Sequence, residues 1–306
     1  MQQDKVRKYD VLLDGGYFSD LVFTGLPEFP RLGHEVYSRD FNLVPGGALN
    51  CAVALQRLGL KTIWPCRFGS DPFSRLAKQA ALAEGLDGDF FTDSEQPCMR
   101  ITVSFSFDDE RAFLTYSDPL PEFPLVELVR EHEPAWLCIS KLSFGGLYTE
   151  LFKAARKAGT RIYMDCQAHD HRLDEQEIKA ALEMVDIFAP NREEAFKITG
   201  QDNLDNALEA LARVVPLVVI KLGEEGCVSR QGNEVLRVPG FPMQAVDTTG
   251  AGDNFNSGFL YGRIRGFSLP DTLRIANICG GISTQGYGGT STSPTASQVE
   301  HFLDVL

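Results

Sequence analysis

Between residues 136 and 222 short apolar runs take turns with longer amphipathic stretches, and that alternation narrows the architecture more than any other feature of the chain. Trp136–Ser140, Arg161–Asp165, Asp186–Pro190 and Leu217–Leu222 have strand length, while helical spacing of apolar residues fills roughly 151–158, 174–184, 191–198 and 203–213. A strand, a helix and a further strand in succession imply right-handed crossovers, a mostly parallel sheet and helices on both of its faces. The expected fold class is α/β, a three-layer α/β/α arrangement around that central sheet. Ligands of such sheets lie beyond the carboxyl ends of the strands, so functional residues are sought just after them.

The first half has a different rhythm. Tyr9–Leu13, His34–Leu43, Met99–Phe107 and Ala112–Tyr116 alternate polar and apolar residues as strands do. Asp20–Leu43 and Pro97–Tyr116 read as hairpin-like antiparallel strands interrupting the main pattern. They predict a small β-sheet lid, approximately 15–45 and 97–117, inserted within one domain spanning 1–306. Three further helical patterns, at about 251–265, 269–283 and 296–305, fill the last third, with the Gly/Ser/Thr-rich segment Gln285–Ser293 joining the last two.

With 306 residues, 43% hydrophobic and 23% charged, the chain has material for a large core and no biased segment to leave disordered. Its formal charge of −13 opposes binding to nucleic acid or an anionic membrane, because both need clustered Lys and Arg. Any phosphate must be held locally. The polar stretch Met1–Asp10 has no apolar core of a leader, no run approaches membrane-span length, and the seven cysteines form no C-x-x-C pair. Reduced thiols and a cytoplasmic location are expected. His169-Asp170-His171 reads as a solvated loop rather than a metal site.

Most of the chemistry is concentrated in Asp247-Thr248-Thr249-Gly250-Ala251-Gly252-Asp253, which runs at once into the helical pattern Asn254–Arg265. Gly250, Ala251 and Gly252 at a helix start leave its first backbone N–H groups bare, and the helix dipole adds about half a positive charge there. Such a cradle holds a transferring phosphate without a lysine. Asp253 falls in the first turn, where a carboxylate can take the proton of an attacking hydroxyl. Phosphoryl transfer needs in-line positioning and charge neutralisation more than covalent help. Two structural alternatives stay open: a plain glycine-rich turn, and Asp253 as a helix cap.

At these residues the chain resembles the PfkB family of carbohydrate kinases, whose signature D-T-x-G-A-G-D stands complete as Asp247 to Asp253. Gly15-Gly16-Tyr17-Phe18-Ser19-Asp20 is similar to the family segment whose aspartate, here Asp20, binds sugar hydroxyls. Pro45-Gly46-Gly47-Ala48-Leu49-Asn50 is similar to its Gly-Gly and Asn signature, which implies sugar contacts from Gly46, Gly47 and Asn50. Asp109-Glu110-Arg111-Ala112-Phe113 resembles its lid strand. Asn191-Arg192-Glu193-Glu194 matches its N-x-x-E motif for magnesium and phosphate, and Lys221-Leu222-Gly223-Glu224-Glu225-Gly226 its nucleotide segment. The motifs follow one another in the family's order over most of the chain.

The resemblance implies a ribokinase-like fold and an ATP-dependent transfer to a hydroxyl of a small sugar or sugar derivative. It implies ATP beside Asn191, Glu194, Lys221, Gly223 and Gly226, with Asn277 near the adenine. Mg²⁺ is then held by Glu194 through water, and K⁺ lies at Asp247, Thr249 and carbonyls of the 283–292 loop. A homodimer is compatible with it. The residues alone leave other roles open: Asn191 and Glu194 as a capping box, Lys221 as a surface charge, Gly223 and Gly226 as a tight turn.

A dinucleotide-dependent dehydrogenase shares the fold class, but no G-x-G-x-x-G opens a first strand-helix turn, and Gly15-Gly16 leads into a further strand. A silent metabolite sensor is opposed by the intact Asp253 and N-x-x-E motif. Within the kinases a nucleoside is the alternative acceptor; it would need an apolar or aromatic slot. Phe105, Phe107 and Phe113 alternate on the lid strands, where they face either the pocket or the lid's own sheet.

Overall fold

The computed structural model describes residues 7–107, 111–119, 123–167 and 169–305. Its main sheet has eight strands in the order β14 (Glu234–Val238), β13 (Cys227–Gln231), β12 (Leu217–Lys221), β11 (Ile187–Ala189), β10 (Arg161–Asp165), β9 (Trp136–Ile139), β1 (Val11–Asp14) and β4 (Thr62–Ile63). Neighbours from β4 to β12 run parallel, and the hairpin of β13 and β14 adds an antiparallel edge. Along the parallel strands successive residues are buried on opposite faces. Leu13, Cys138, Tyr163 and Val219 enter one apolar core, and Leu12, Leu137, Ile162 and Val218 the other.

The first core is closed by α1 (Ala48–Arg57), α2 (Pro72–Ala83), α8 (Ala251–Ile264), α9 (Leu269–Ser283) and α10 (Ala296–Val305). The second is closed by α3 (Leu125–His132), α4 (Gly146–Ala158), α5 (Gln176–Leu182), α6 (Arg192–Thr199) and α7 (Leu204–Ala212). The three layers match the sequence expectation.

The lid is a separate four-stranded sheet ordered β3 (Asp40–Gly47), β2 (Tyr17–Thr24), β7 (Arg100–Ser106) and β8 (Arg111–Ser117). Its two central strands run parallel and its outer pairs antiparallel. A further pair, β5 (Cys66–Phe68) and β6 (Phe91–Asp93), lies beside it in the chain. The strand expected from His34 begins only at Asp40. Residues 34–39 are mostly exposed, so their alternation has no buried face to pack and the chain stays irregular until β3. Asp109 and Glu110 of the lid motif lie outside the described residues.

Candidate active site

The start of α8 is open by construction. Gly250 adopts φ 74° and ψ 3°, and a Cβ there would run into Gly289 Cα, so only glycine makes the turn. No side chain caps the helix. The Ala251 N–H turns back onto Thr248 O at 3.2 Å, whereas the N–H groups of Gly250, Gly252 and Asp253 meet no acceptor among the described residues. The turn is clamped from behind by Asn254, whose Nδ2 donates to Gly250 O and Gly289 O at 2.9 Å each. Asp247 ties the approach to the following loop: it accepts the Thr249 N–H at 2.9 Å, the Thr249 hydroxyl at 2.8 Å and the Gly288 N–H at 2.9 Å.

Asp253 in that first turn meets Asn50 from α1, which donates Nδ2 to Asp253 Oδ2 at 3.1 Å. Asn50 is 3% exposed, and its Oδ1 has no hydrogen-bond partner. A buried amide oxygen left without a donor is costly, and a ligand hydroxyl would relieve it. Asp20 of β2 lies on the same cleft. Gly46 of β3 is so near that a Cβ would strike Asp20 Oδ2, which makes glycine the residue that clears this space. Burial pushes the Asp253 carboxyl up to about 7; the Asn50 N–H and Lys221 pull it down, and the charges of Asp165 and Asp20 push it further up. Burial, with the charge of Asp247, raises Asp20 to about 6.

On the other side of α8 the Lys221 ammonium, at the end of β12, donates to Asp165 Oδ1 at 2.6 Å. Asn256 of α8 donates Nδ2 to Asp165 Oδ2 at 2.6 Å and accepts the Tyr163 hydroxyl at 2.6 Å. These four residues form a buried polar network under the helix start, close enough that a Cβ on Gly252 would lie 3.6 Å from Lys221 Nζ. Burial alone would lower the Lys221 pKa; the nearby Asp165 and Glu194 charges outweigh it and leave the ammonium firmly protonated. At the start of α6, Asn191 Oδ1 accepts the Glu194 N–H at 2.9 Å, and Glu194 Oε2 accepts the Asn191 N–H at 2.8 Å, a complete capping box. Burial, then the charge of Asp165, raises the Glu194 carboxyl above its ordinary value.

A cavity of about 390 Å³ opens between Lys221 and the α8 start, walled by Phe241, Met243, Phe255 and Asn277 and widened by Gly280 and Gly281. Gly223 and Gly226 edge it with left-handed turns, and a Cβ on Gly226 would collide with Val238 O. Asn277 Nδ2 is committed to Pro239 O at 2.9 Å and Val238 O at 3.3 Å, so this amide shapes the wall.

The family described as pfkB family carbohydrate kinase matches residues 27–296. The chain belongs to that family. Ribokinase of Haemophilus influenzae is 28% identical over 294 residues, covering 91% of this chain and 94% of that one. Fructokinase of Vibrio alginolyticus is 28% identical over 280 residues, covering 85% and 91%. The structure of Arabidopsis thaliana ribokinase complexed with ribose and ATP has a TM-score of 0.82 at 22% identity, covering 96% of this chain and 98% of that one. The fold is ribokinase-like, and the protein is a carbohydrate kinase.

In this pfkB kinase the structure brings Asp253, Asn50, Asp20 and Gly46 to one cleft and Lys221, Gly223, Gly226 and Asn277 to the adjoining cavity. Gly47, at φ 66°, turns the chain from β3 into α1, where a Cβ would lie 2.8 Å from Gly16 O. Sequence reasoning missed Tyr163, Asp165, Asn254 and Asn256. Each sits inside an apolar strand run or helix pattern where a polar residue carries no local signal. The lid aromatics divide between faces. Phe105 pairs with Phe23, on the opposite face from Asp20, and packs on Phe29, which also meets Phe107; Phe113 shares the Asp20 face but is 63% exposed. No helix is long and apolar enough to cross a membrane among the described residues.

Proposed function

We propose that this kinase moves the γ-phosphoryl group of ATP onto a hydroxyl of a small sugar or sugar derivative, with Asp253 as the base. The carrying observation is a carboxyl at about 7, held by Asn50 beside helix-start N–H groups that have no acceptor among the described residues. A base of that pKa is ionised often enough at neutral pH and still basic enough to take the acceptor's proton. The open amides of Gly250 and Gly252, with that of Asp253, serve as the anion hole for the charge developing on the phosphoryl oxygens. The cavity walled by Phe255 and Asn277 suits the nucleotide.

Glu194 and Asp165, two neighbouring carboxylates whose repulsion is only partly met by Lys221, fit Mg²⁺ held mostly through water, which would neutralise charge on the phosphates. The oxygen-only donors around Asp247, Thr249 and the 283–292 carbonyls suit a hard monovalent cation such as K⁺. Asp20 and the free Oδ1 of Asn50 accept from acceptor hydroxyls, and the lid sheet keeps water, a competing acceptor, out. A nucleoside fits less well, because the Phe18 ring near Asp20 is already covered by the Arg100 guanidinium at 4.5 Å. Seven buried free thiols support a cytoplasmic setting. Exposed Phe41, Leu43, Leu114 and Tyr116 on the outer lid face support a homodimer.

The test is coupled ADP release across monosaccharides, sugar acids, phosphosugars and nucleosides. Sugars or their derivatives should stimulate it, and Asp20→Ala should raise the acceptor KM about tenfold or more with little change in KM for ATP. Stimulation by nucleosides alone would reject the assignment.

A further inference from the structure

Arg100, at the first position of β7, is a half-buried cation without a counter-ion among the described residues. Its guanidinium carbon stands 4.5 Å from the Phe18 ring centroid, and its Nε is buried with no hydrogen-bond partner. Only thiols and a phenol, Cys66, Cys98 and Tyr17, act on it as neighbouring groups; no carboxylate pairs with it among the described residues, and burial lowers its pKa. Taking a charge partly out of water without a partner is costly. The space is kept for it, since a Cβ on Gly16 would run into Arg100 Nη1.

The guanidinium borders a pocket of about 270 Å³ that Lys141 also lines. Two carboxylates also line it, Asp14 and Asp118, and both have donors. Asp14 accepts the Tyr148 hydroxyl at 2.9 Å, and burial raises its pKa against the pull of Lys141. Asp118 accepts the Met99 N–H and the Tyr116 hydroxyl, each at 2.7 Å. Lys141 acts on Asp14, whereas Arg100 has no carboxylate partner among the described residues.

This pocket adjoins the acceptor cleft. Gly16 O accepts the Ala48 N–H at 3.0 Å, in the same 46–50 segment that sets Gly46 against Asp20 and Asn50 against Asp253. Phe18, beneath Arg100, precedes Asp20 by two residues on the same face of β2, about 7 Å along a strand. An acceptor gripped at Asp20 therefore has Phe18 and the Arg100 guanidinium above it as its neighbours along the lid face.

Resting on the kinase reading above, we infer that Arg100 and Lys141 form an anion subsite continuous with the acceptor cleft, and that the acceptor is a sugar bearing a phosphate or a carboxylate. Charge-assisted bonds from a guanidinium and an ammonium recognise either group, and the sources separate by assay.

The experiment compares hexose and pentose monophosphates, sugar acids and their neutral parents in ADP release. In parallel, binding of each compound without ATP is measured by calorimetry on wild type, Arg100→Gln and Lys141→Met. A kcat/KM for one anionic class at least about thirtyfold above its neutral parent, with that ratio collapsing in Arg100→Gln and falling less in Lys141→Met, is the expected result. Phosphates preferred over acids, or the reverse, names the group. Neutral sugars used as well as anionic ones would overturn the subsite and leave the kinase reading standing. If no acceptor releases ADP, the kinase reading fails by itself. Calorimetry then decides the subsite: binding of an anionic sugar that weakens in Arg100→Gln sustains it, and absence of such binding ends it.

Discussion

Two helix starts face the same end of the sheet, and they are built on opposite plans. The α6 start is closed on itself: Asn191 and Glu194 exchange side-chain and backbone bonds. The α8 start leaves the N–H groups of Gly250, Gly252 and Asp253 without an acceptor among the described residues, behind a left-handed glycine, and sets a buried carboxylate beside them. Closing a helix end stabilises the chain, by about 1 kcal/mol for a good cap. The α8 sequence forgoes that gain, and an uncapped helix start beside a costly buried acid is what the anion hole proposed above would require. The contrast separates a helix start that its own side chains close from one that stays open, although the two motifs look equally functional as strings of letters.

The largest effect expected from breaking this contrast comes at α8. Asp253→Asn keeps the side-chain volume and the hydrogen bond to Asn50 but removes the base, so kcat should fall by about 10²–10⁴ while calorimetry still detects ATP binding. Near-normal turnover would remove Asp253 from the role of base. At α6 the expected loss is smaller and of another kind. Glu194→Gln preserves the reach of the capping box and takes away a carboxylate, so the Mg²⁺ concentration for half-maximal activity should rise several-fold. An unchanged magnesium titration would make α6 a purely structural start.

The pH dependence sharpens the comparison because activity and stability move in opposite directions. With Asp253 as the proposed base, activity would need it ionised, so kcat/KM should rise with pH through about 7. Stability follows the proton. A carboxyl raised in the folded chain favours folding while protonated, so its contribution is full below the unfolded range of about 4 and is lost as pH climbs through about 7. Asp20, raised to about 6, adds to the same decline. Thermal denaturation of Asp253→Asn should therefore show a flatter decline and a Tm a few degrees above the parent beyond pH 7. An identical pH profile in the two proteins would contradict the buried, raised carboxyl.

The smallest expected effect lies behind α8, where Asp247, Thr249 and Gly288 are already joined by hydrogen bonds. Potassium there would add to an existing brace, so replacing it with tetramethylammonium should lower activity modestly. Equal rates in the two salts would dismiss the cation.

Much of the fold was legible from residues that act locally. The run from Trp136 to Lys221 declared its strands and helices by period, and the expected helix 269–283 is the observed one. Other elements passed unnoticed although their signals were present. Asp71-Pro72 opens α2 as a cap and first-turn proline, with Asp71 accepting the Ser74 N–H at 2.9 Å. The β13–β14 hairpin turns at Gln231–Glu234, and its strands lacked the apolar continuity of their parallel neighbours. In the site, Asp253 and Asn50 were identified from motif residues, whereas Asp165 passed as the polar end of a strand.

The sequence by itself determined the layered α/β plan, the glycine turn before α8 and the acid that follows it. Each of these depends on backbone conformation and period within a few residues. Tertiary structure alone decided which polar residues share a space. Lys221 meets Asp165 across 56 residues and Asn50 meets Asp253 across 203. The lid face that carries Asp20 and excludes Phe105 follows from the pairing of Asp20 with Thr102, and a shift of one residue would have reversed it. The burial that raises Asp253, and the separation of Arg100 from the carboxylates among the described residues, likewise belong to the packed molecule, because desolvation and register are properties of neighbours in space rather than in sequence.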